Sequence, residues 1–261
     1  MTELASEELE TIARELRATP HLLLCLDFDG TLAPIVEDPA RARIPETTKQ
    51  VLAALSRRAD MTLAIVSGRS VSDLRTRIEF EMILAGNHGL EVAGNRYDLR
   101  NPQSSQWQRM LREICRELRP RVQEIPGALL EDKGLTASVH YRNVSDADVP
   151  AVEAMVNAAT EPKAGQFRVR HGKKVLEILP RVHWNKGSAI RWIERRLRDE
   201  KGHEIGVCYI GDDATDELAF RELGPGAITI RVGYDCPTAA RFRVRGVREV
   251  CGFLRWLGEQ R

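Results

Sequence analysis

The segment 22-LLLCLDFDGTL-32 opens with five apolar residues and runs directly into two aspartates, Asp27 and Asp29, with Gly30 behind them. So short and continuous an apolar run predicts a strand buried on both faces, as in a parallel sheet covered by helices. Three further runs repeat the arrangement: Leu63–Val66, Met82–Ala85 and Val207–Ile210. They lead into SGRS, GNHG and GDDATD. Helical periodicity fills the intervals. PETTKQVLAALSRR carries Val51, Leu52 and Leu55, and NKGSAIRWIERRL carries Ile190, Ile193 and Leu197. Strands alternating with helices predict an α/β fold. Ligands of such sheets gather at the carboxyl ends of the strands, so the polar tips of the four runs are expected on one edge.

The rhythm changes near Pro102. A helical stretch, QWQRMLREICRELRP, is followed by strands that alternate cleanly: in LTASVHYR, Leu135, Ala137, Val139 and Tyr141 fall on one face, and Thr136, Ser138, His140 and Arg142 on the other. This reads as a half-solvated antiparallel sheet. It predicts an inserted α+β domain at 102–179 within a core formed by 1–101 and 180–261. Hinge-like linkers are expected near Arg100–Ser104 and Leu179–His183.

Composition narrows the partners. Lys and Arg total 39 against 38 Asp and Glu, so no overall field favours nucleic acid or an anionic membrane. The basic stretch Arg241–Arg248 reads as a solvated face. No segment approaches the roughly 18 apolar residues of a membrane span. The first residues, MTELASEELETIARELRA, are acidic and helical, unlike a secretory leader. The five cysteines form no CxxC pair. A reduced, cytoplasmic setting is expected, and the oligomeric state is left open.

Two strand-end aspartates at i and i+2 point the same way while the chain stays extended. Two such charges about 4 Å apart, at an effective dielectric of about 20, repel by about 4 kcal/mol. A proton on one of them or a divalent cation is expected to offset that, and Mg2+ prefers such hard oxygen ligands. Phosphoryl transfer uses both: one carboxylate attacks phosphorus, and its neighbour gives and then takes a proton. GDDATDE sets Asp212, Asp213 and Asp216 after another buried strand. Asp216 reads equally as a first-turn helix acid. Ser67 offers a hydroxyl, and Ser70 with Asp73 forms a helix-start pattern. Lys186 follows the expected cap Asn185 and opposes the helix dipole there, which argues for an anionic partner.

DFDGT, Ser67, Lys186 and GDDATD, in this order, resemble the haloacid dehalogenase superfamily. The resemblance implies a Rossmann-like core with Asp27 as nucleophile, Asp29 as general acid/base, and Ser67 and Lys186 on the phosphoryl oxygens. It also implies Mg2+ held by Asp27, Asp212 and the backbone carbonyl of Asp29. With DFDGTLAPIVEDP, AGNHGLE, EDKGLTASVHYR, GKKVLEILP and NKGSAI, the chain is further similar to the trehalose-6-phosphate phosphatases. That implies hydrolysis of trehalose 6-phosphate through an aspartyl phosphate, under a mobile cap made by the inserted domain. The resemblance implies substrate contacts by Glu131, Lys133, Lys173 and Glu177. The spacing within each pair, Glu131 with Lys133 and Lys173 with Glu177, puts both members on one side of an extended strand. Further candidates are Arg142, Asn87 and His88, the last two expected at the rim of the sheet's carboxyl edge, and Arg69, pairing with substrate or with Glu91.

Other readings fit less of the sequence. A glycosyltransferase DxD needs neither GDDATD nor Lys186. A phospho-acceptor receiver lacks the acid two residues on, and a sugar-phosphate sensor without turnover would lose one of these carboxylates. Sucrose-phosphate and mannosyl-phosphoglycerate phosphatases share the same core signature.

Overall fold

β1 (His21–Leu26) is buried at every position, and its side chains alternate between two apolar layers. Leu22, Leu24 and Leu26 join Ile12 and Leu16 of α1 (Ser6–Arg17), Leu52 and Leu55 of α2 (Glu46–Leu55), and Phe253, Leu254 and Leu257 of α8 (Val247–Gln260). Leu23 and Cys25 join Ile190, Ile193 and Leu197 of α6 (Lys186–Lys201), and Phe220 and Leu223 of α7 (Ala214–Leu223). Each fully buried leucine stabilises by about 1.5–3 kcal/mol, so β1 is anchored from both sides before its acidic tip begins.

The structure, a computed structural model, describes residues 4–94, 96–100 and 104–260. It divides into two units, Met1–Leu99 with Trp184–Arg261, and Arg100–His183. In the first unit β1 lies between β10 (Ile205–Gly211) and β2 (Met61–Val66), parallel to both. Beyond β2 come β3 (Ile83–Gly86), β4 (Glu91–Gly94) and β5 (Tyr97–Arg100); beyond β10 come β11 (Ile228–Val232) and β12 (Phe242–Val244). β3, β11 and β12 continue the parallel pairing, and β4 runs antiparallel to β3. The chain therefore leaves β1 in one direction through β2 and β3, and later in the other through β10, β11 and β12. This reversal makes the carboxyl end of β1 a topological switch point, where ligands of open α/β sheets bind. Among the described residues no helix is long and apolar enough to cross a membrane.

The second unit carries an antiparallel sheet in the order β6 (Leu129–Asp132), β7 (Ala137–His140), β9 (Val175–Pro180), β8 (Phe167–Gly172). α4 (Ser104–Gln123) packs on α5 (Val149–Thr160) and on β6. Ala137, Val139, Leu176 and Ile178 are buried. The opposite face carries a row in register across all four strands: Glu131 beside Ser138, Ser138 beside Glu177, Glu177 beside Arg170.

Two expectations are corrected here. Thr136 and Ser138, assigned to a solvated face, are buried; Ser138 sits mid-row between two longer acidic side chains. The break expected after residue 179 falls later, because β9 runs to Pro180. Arg181 then ties back to its own unit, its backbone N donating to Gln166 O and its Nε to Ala164 O, both at 2.6 Å. Of the other expected linker, residues 101–103 lie outside the described residues.

Candidate active site

Parallel pairing brings the ends of β1, β2, β3 and β10 to one edge, and with them Asp27, Ser67, Asn87 and Asp212. The ladder extends one residue past β1, where Asp27 N donates to Ile210 O at 2.9 Å. This sets the Asp27 carboxylate inside the protein, 5% exposed. Its partner arrives from far along the chain: Lys186 Nζ, 2% exposed, lies 2.8 Å from Asp27 Oδ1 and 2.7 Å from Asp216 Oδ1. Lys186 is placed there by the first turn of α6, which Asn185 caps by accepting from Gly187 N and Ser188 N. An ammonium has three protons, so one remains for a further acceptor. Burial pushes the Asp27 carboxyl well up, Lys186 pulls it back, and Asp216, Asp212 and Asp213 add to the rise. Lys186 loses hydration yet is held well above the usual lysine range by Asp216, Asp27 and Asp213.

Asp216 is a brace. Its Oδ1 accepts from Lys186 and from the buried Tyr209 hydroxyl. Its Oδ2 accepts from Asp212 N at 2.8 Å and Asp213 N at 2.9 Å. Four donors take the four lone-pair positions of a carboxylate. Asp213 caps α7, accepting from Thr215 N at 2.7 Å and Asp216 N at 3.0 Å. Both GDDATD acids whose roles were open in the sequence are thus spent on shaping the β10–α7 turn.

Asp212 is different. One carboxylate oxygen each of Asp27, Asp212 and Asp216 lie within 4.8 Å of one another. Asp212 Oδ1 is buried without a hydrogen-bond partner among the described residues, and so is the hydroxyl of Thr31. Burial, with Asp216 and Asp213 nearby, pushes the Asp212 carboxyl up to about 8. An orphaned buried acceptor beside a second carboxylate fits a divalent cation, which hard oxygen donors favour. With Asp216 saturated, Asp27 and Asp212 are the side chains that fit this ion. Gly30 makes room: its φ is +84°, and a Cβ there would stand 2.2 Å from Asp212 Oδ2.

Beside the ion that Asp27 and Asp212 fit, each of the strand-end acids Asp27 and Asp29 also has its own internal cation, Lys186 for Asp27 and Arg69 for Asp29. Asp29 is paired by Arg69, Nε to Oδ2 at 2.6 Å and Nη2 to Oδ1 at 2.7 Å. The chain leaves the strand with a bend at Phe28 and turns at Gly30, which separates the environments of the two acids: the Asp29 side chain is 41% exposed. Arg69 was expected on substrate or on Glu91; it bonds Asp29 and Asp73 instead, and Glu91 Oε1 accepts from Val71 N and Asn87 Nδ2. Ser67 is buried and its Oγ accepts from Arg69 N at 3.1 Å, leaving the hydroxyl proton to donate. Asn87, expected at the rim, is fully buried. His88 N donates to Ser67 O, and Trp184 Nε1 holds the turn by donating to Gly89 O at 2.6 Å.

In the second unit Lys133 Nζ lies 3.7 Å from Glu131 Oε2, which also bonds His140 Nε2 at 2.9 Å. Glu177 pairs with Arg170, whose Nη2 is 2.6 Å from Oε2. Lys173, expected beside Glu177 on a strand, sits instead in the exposed β8–β9 turn, where its carbonyl accepts from Arg142 Nη2 at 3.2 Å.

A family model described as trehalose-phosphatase matches residues 25–246. The chain belongs to the trehalose-phosphatase family. Trehalose-phosphate phosphatase B of Arabidopsis thaliana is 34% identical over 257 residues, which span 91% of this chain and 66% of that protein. Trehalose-phosphate phosphatase of Mycobacterium marinum is 34% identical over 247 residues, 92% of this chain and 62% of that one. The chain thus spans about two thirds of the length of these curated relatives. Its fold is similar to a solved trehalose-6-phosphate phosphatase related protein, with TM-score 0.80, 26% identity and coverage of 91% and 97% of the two chains. It also shares its fold with the C. albicans trehalose-6-phosphate phosphatase C-terminal domain, with TM-score 0.80 and 22% identity over 99% and 98%.

Several side chains that support these two groups of residues, one in each unit, were missed from sequence. Tyr209 lies inside an apolar run and reads as core. Arg170 sits in FRVRHG among other exposed basic residues, and only strand register sets it against Glu177. Arg231, buried on β11, donates to Asp213 O and Glu217 Oε1, both at 3.1 Å. No motif marks it.

Proposed function

We propose that this chain is a Mg2+-dependent phosphatase that hydrolyses trehalose 6-phosphate to trehalose and phosphate through a phosphoryl group carried on Asp27. The observation that carries the reading is the meeting of Asp27 with Lys186 and with the orphaned Asp212 oxygen at the switch point of the sheet. A nucleophile, a fixed cation and an empty acceptor are what phosphoryl transfer asks of a protein. Asp27 and Asp212, with the backbone carbonyl of Asp29, would hold Mg2+, which supplies charge neutralisation at the phosphoryl oxygens. Lys186, through its remaining proton, Ser67 and Thr31 donate to those oxygens.

In the first step an Asp27 oxygen bonds to phosphorus and the bond from phosphorus to the sugar oxygen breaks, with Asp29 delivering a proton to that oxygen. In the second, water attacks phosphorus, its proton passes to Asp29, and the bond to Asp27 breaks. The polar row of the second unit, with Glu131, Lys133, Glu177 and Arg170, offers the mixture of donors and acceptors that a disaccharide's hydroxyls require. We assign sugar recognition to this unit, acting as a cap. Five free cysteines support a reducing, cytoplasmic setting.

The test compares phosphate release from trehalose 6-phosphate, sucrose 6-phosphate and mannosyl-phosphoglycerate, with Mg2+ and with chelator. The expected result is Mg2+-dependent release with the highest kcat/KM for trehalose 6-phosphate. Preference for another sugar phosphate would overturn the substrate, and release unaffected by chelator would overturn the metal.

A further inference from the structure

Asp29 is held in a way that Asp27 is not. The Arg69 guanidinium spans both Asp29 oxygens and is itself fixed on its other sides. Nη1 donates to Asp73 Oδ2 at 2.9 Å, Nη2 also donates to the Pro39 carbonyl at 2.8 Å, and Cζ lies 5.1 Å from the Phe28 ring centroid. Asp73 is gripped in turn by Arg77, Nε to Oδ2 and Nη2 to Oδ1, both at 2.8 Å. Arg77 donates to Ala42 O at 2.7 Å, and its Cζ lies 5.9 Å from the same Phe28 ring. The side chains of Arg69 and Arg77 are each 6% exposed. Phe28, the residue between the two acids, thus serves as the platform on which both guanidinium groups rest.

Substrate binding is the ordinary reading of an arginine beside a phosphatase nucleophile, but Arg69 has little left to give a substrate. Its Nε, Nη1 and Nη2 are all engaged within the protein. A planar fork across a carboxylate fixes the plane of that group as well as its position. Each carboxylate oxygen has two lone-pair sites. Arg69 takes one on each oxygen and leaves one on each, and the Asp29 side chain is 41% exposed. Such a carboxylate is presented as an acceptor.

Resting on the phosphatase reading above, we propose that Arg69 is a positioning residue that holds Asp29 as the proton acceptor for hydrolysis of phospho-Asp27. In that step the water oxygen bonds to phosphorus, the proton it loses goes to a free lone pair of Asp29, and the phosphorus–oxygen bond to Asp27 breaks. Phosphate leaves and the Asp27 carboxylate returns. Formation of phospho-Asp27 asks no proton of Asp29 when the leaving group needs none. Loss of the fork then falls mainly on the second step.

Kinetics separate this from a substrate-binding or purely structural role. In a two-step reaction kcat/KM reports formation of the phosphoenzyme, and kcat reports its breakdown once that is slower. Arg69→Lys keeps the charge and loses the fork. Misplacing a catalytic group by about 1 Å costs on the order of 100-fold. With the Mg2+-loaded full chain and p-nitrophenyl phosphate, whose leaving group needs no proton, kcat should fall about 10–100-fold and KM with it, leaving kcat/KM within about threefold. Rapid quench should then show a burst of nitrophenolate and accumulated phospho-Asp27. Asp73→Asn, which loosens the brace without touching Asp29, should show the same pattern more weakly, and it keeps the test decisive if Arg69→Lys fails to fold. Raised KM with unchanged kcat, or kcat/KM lost without a burst, would overturn the proposal. Wild-type protein that neither releases nitrophenolate nor becomes phosphorylated would instead overturn the phosphatase reading itself.

Discussion

Lys186 joins Asp27 to Asp216, 2.8 Å from one and 2.7 Å from the other, with all three side chains out of solvent. The lysine stands at the start of α6, Asp27 just past the end of β1, and Asp216 in the first turn of α7. A buried cation bridging two buried acids contributes little net stability compared with apolar packing, yet removing one member leaves the others uncompensated, at a cost of about 3–5 kcal/mol. Structure and chemistry therefore depend on the same side chain.

Lys186→Met should lower unfolding free energy by about 3–5 kcal/mol and abolish phosphate release. Urea denaturation followed by circular dichroism checks the first, and phosphate release under folded conditions the second. Undiminished stability would show that the carboxylates re-pair without the lysine.

Metal binding should displace protons. Burial, with Asp216 and Asp213, raises the Asp212 carboxyl to about 8 in the metal-free protein, well above its value near 4 in an unfolded chain. Between these values the folded state binds more protons, so this group makes stability fall as pH rises from about 4 to about 8. Mg2+ should reverse that loss and release protons near pH 7. Calorimetric titration in two buffers of different ionisation enthalpy measures the release, and Asp212→Asn should reduce it. Identical heats in both buffers would contradict the assignment.

Gly30→Ala should cripple the cation site. The new Cβ would lie 2.2 Å from Asp212 Oδ2 at a φ of +84°, so both the carboxylate and the turn must move. The left-handed backbone alone costs about 1–2 kcal/mol. Mg2+ affinity measured by calorimetry should weaken at least about tenfold, the equivalent of about 1.4 kcal/mol. Unchanged affinity would place the ion elsewhere.

Tyr209→Phe removes one of the four donors to Asp216. A hydrogen bond to a charged group is worth about 1.5–3 kcal/mol. Stability should fall by about that amount in denaturant titration, with Asp27 still phosphorylated. An unchanged midpoint would mean that Asp216 is fully supported by Lys186 and the backbone.

The core was legible because its signals are local. Apolar runs and the residues behind them mark β1, β2, β3 and β10, and parallel pairing then fixes their common edge without further information. β11 and β12 were not singled out, since ITIRV and FRV are short, each carries an arginine, and FRV is flanked by two more. α4 ran on past its expected end because Pro120 is accommodated inside it, with the helix reaching Gln123. Site residues were legible by type but not by partner. The sequence carries Asp29 and Arg69 forty positions apart, and only the parallel pairing of β1 and β2 brings their following segments together. Lys173 and Glu177 looked like one strand face because the positive φ of Lys174, +64°, which closes the β8–β9 hairpin, leaves no mark in GKKVLE. Asp216 kept two readings until its four donors could be counted.

The most direct measurement is acid-quench mass spectrometry of the Mg2+-loaded chain during turnover of trehalose 6-phosphate, with peptide mapping. Phosphoryl transfer through the β1 tip predicts one added phosphoryl group on Asp27, absent in Asp27→Asn. Turnover with Asp27 unmodified in every sample, or an Asp27→Asn protein that still releases phosphate, would contradict it.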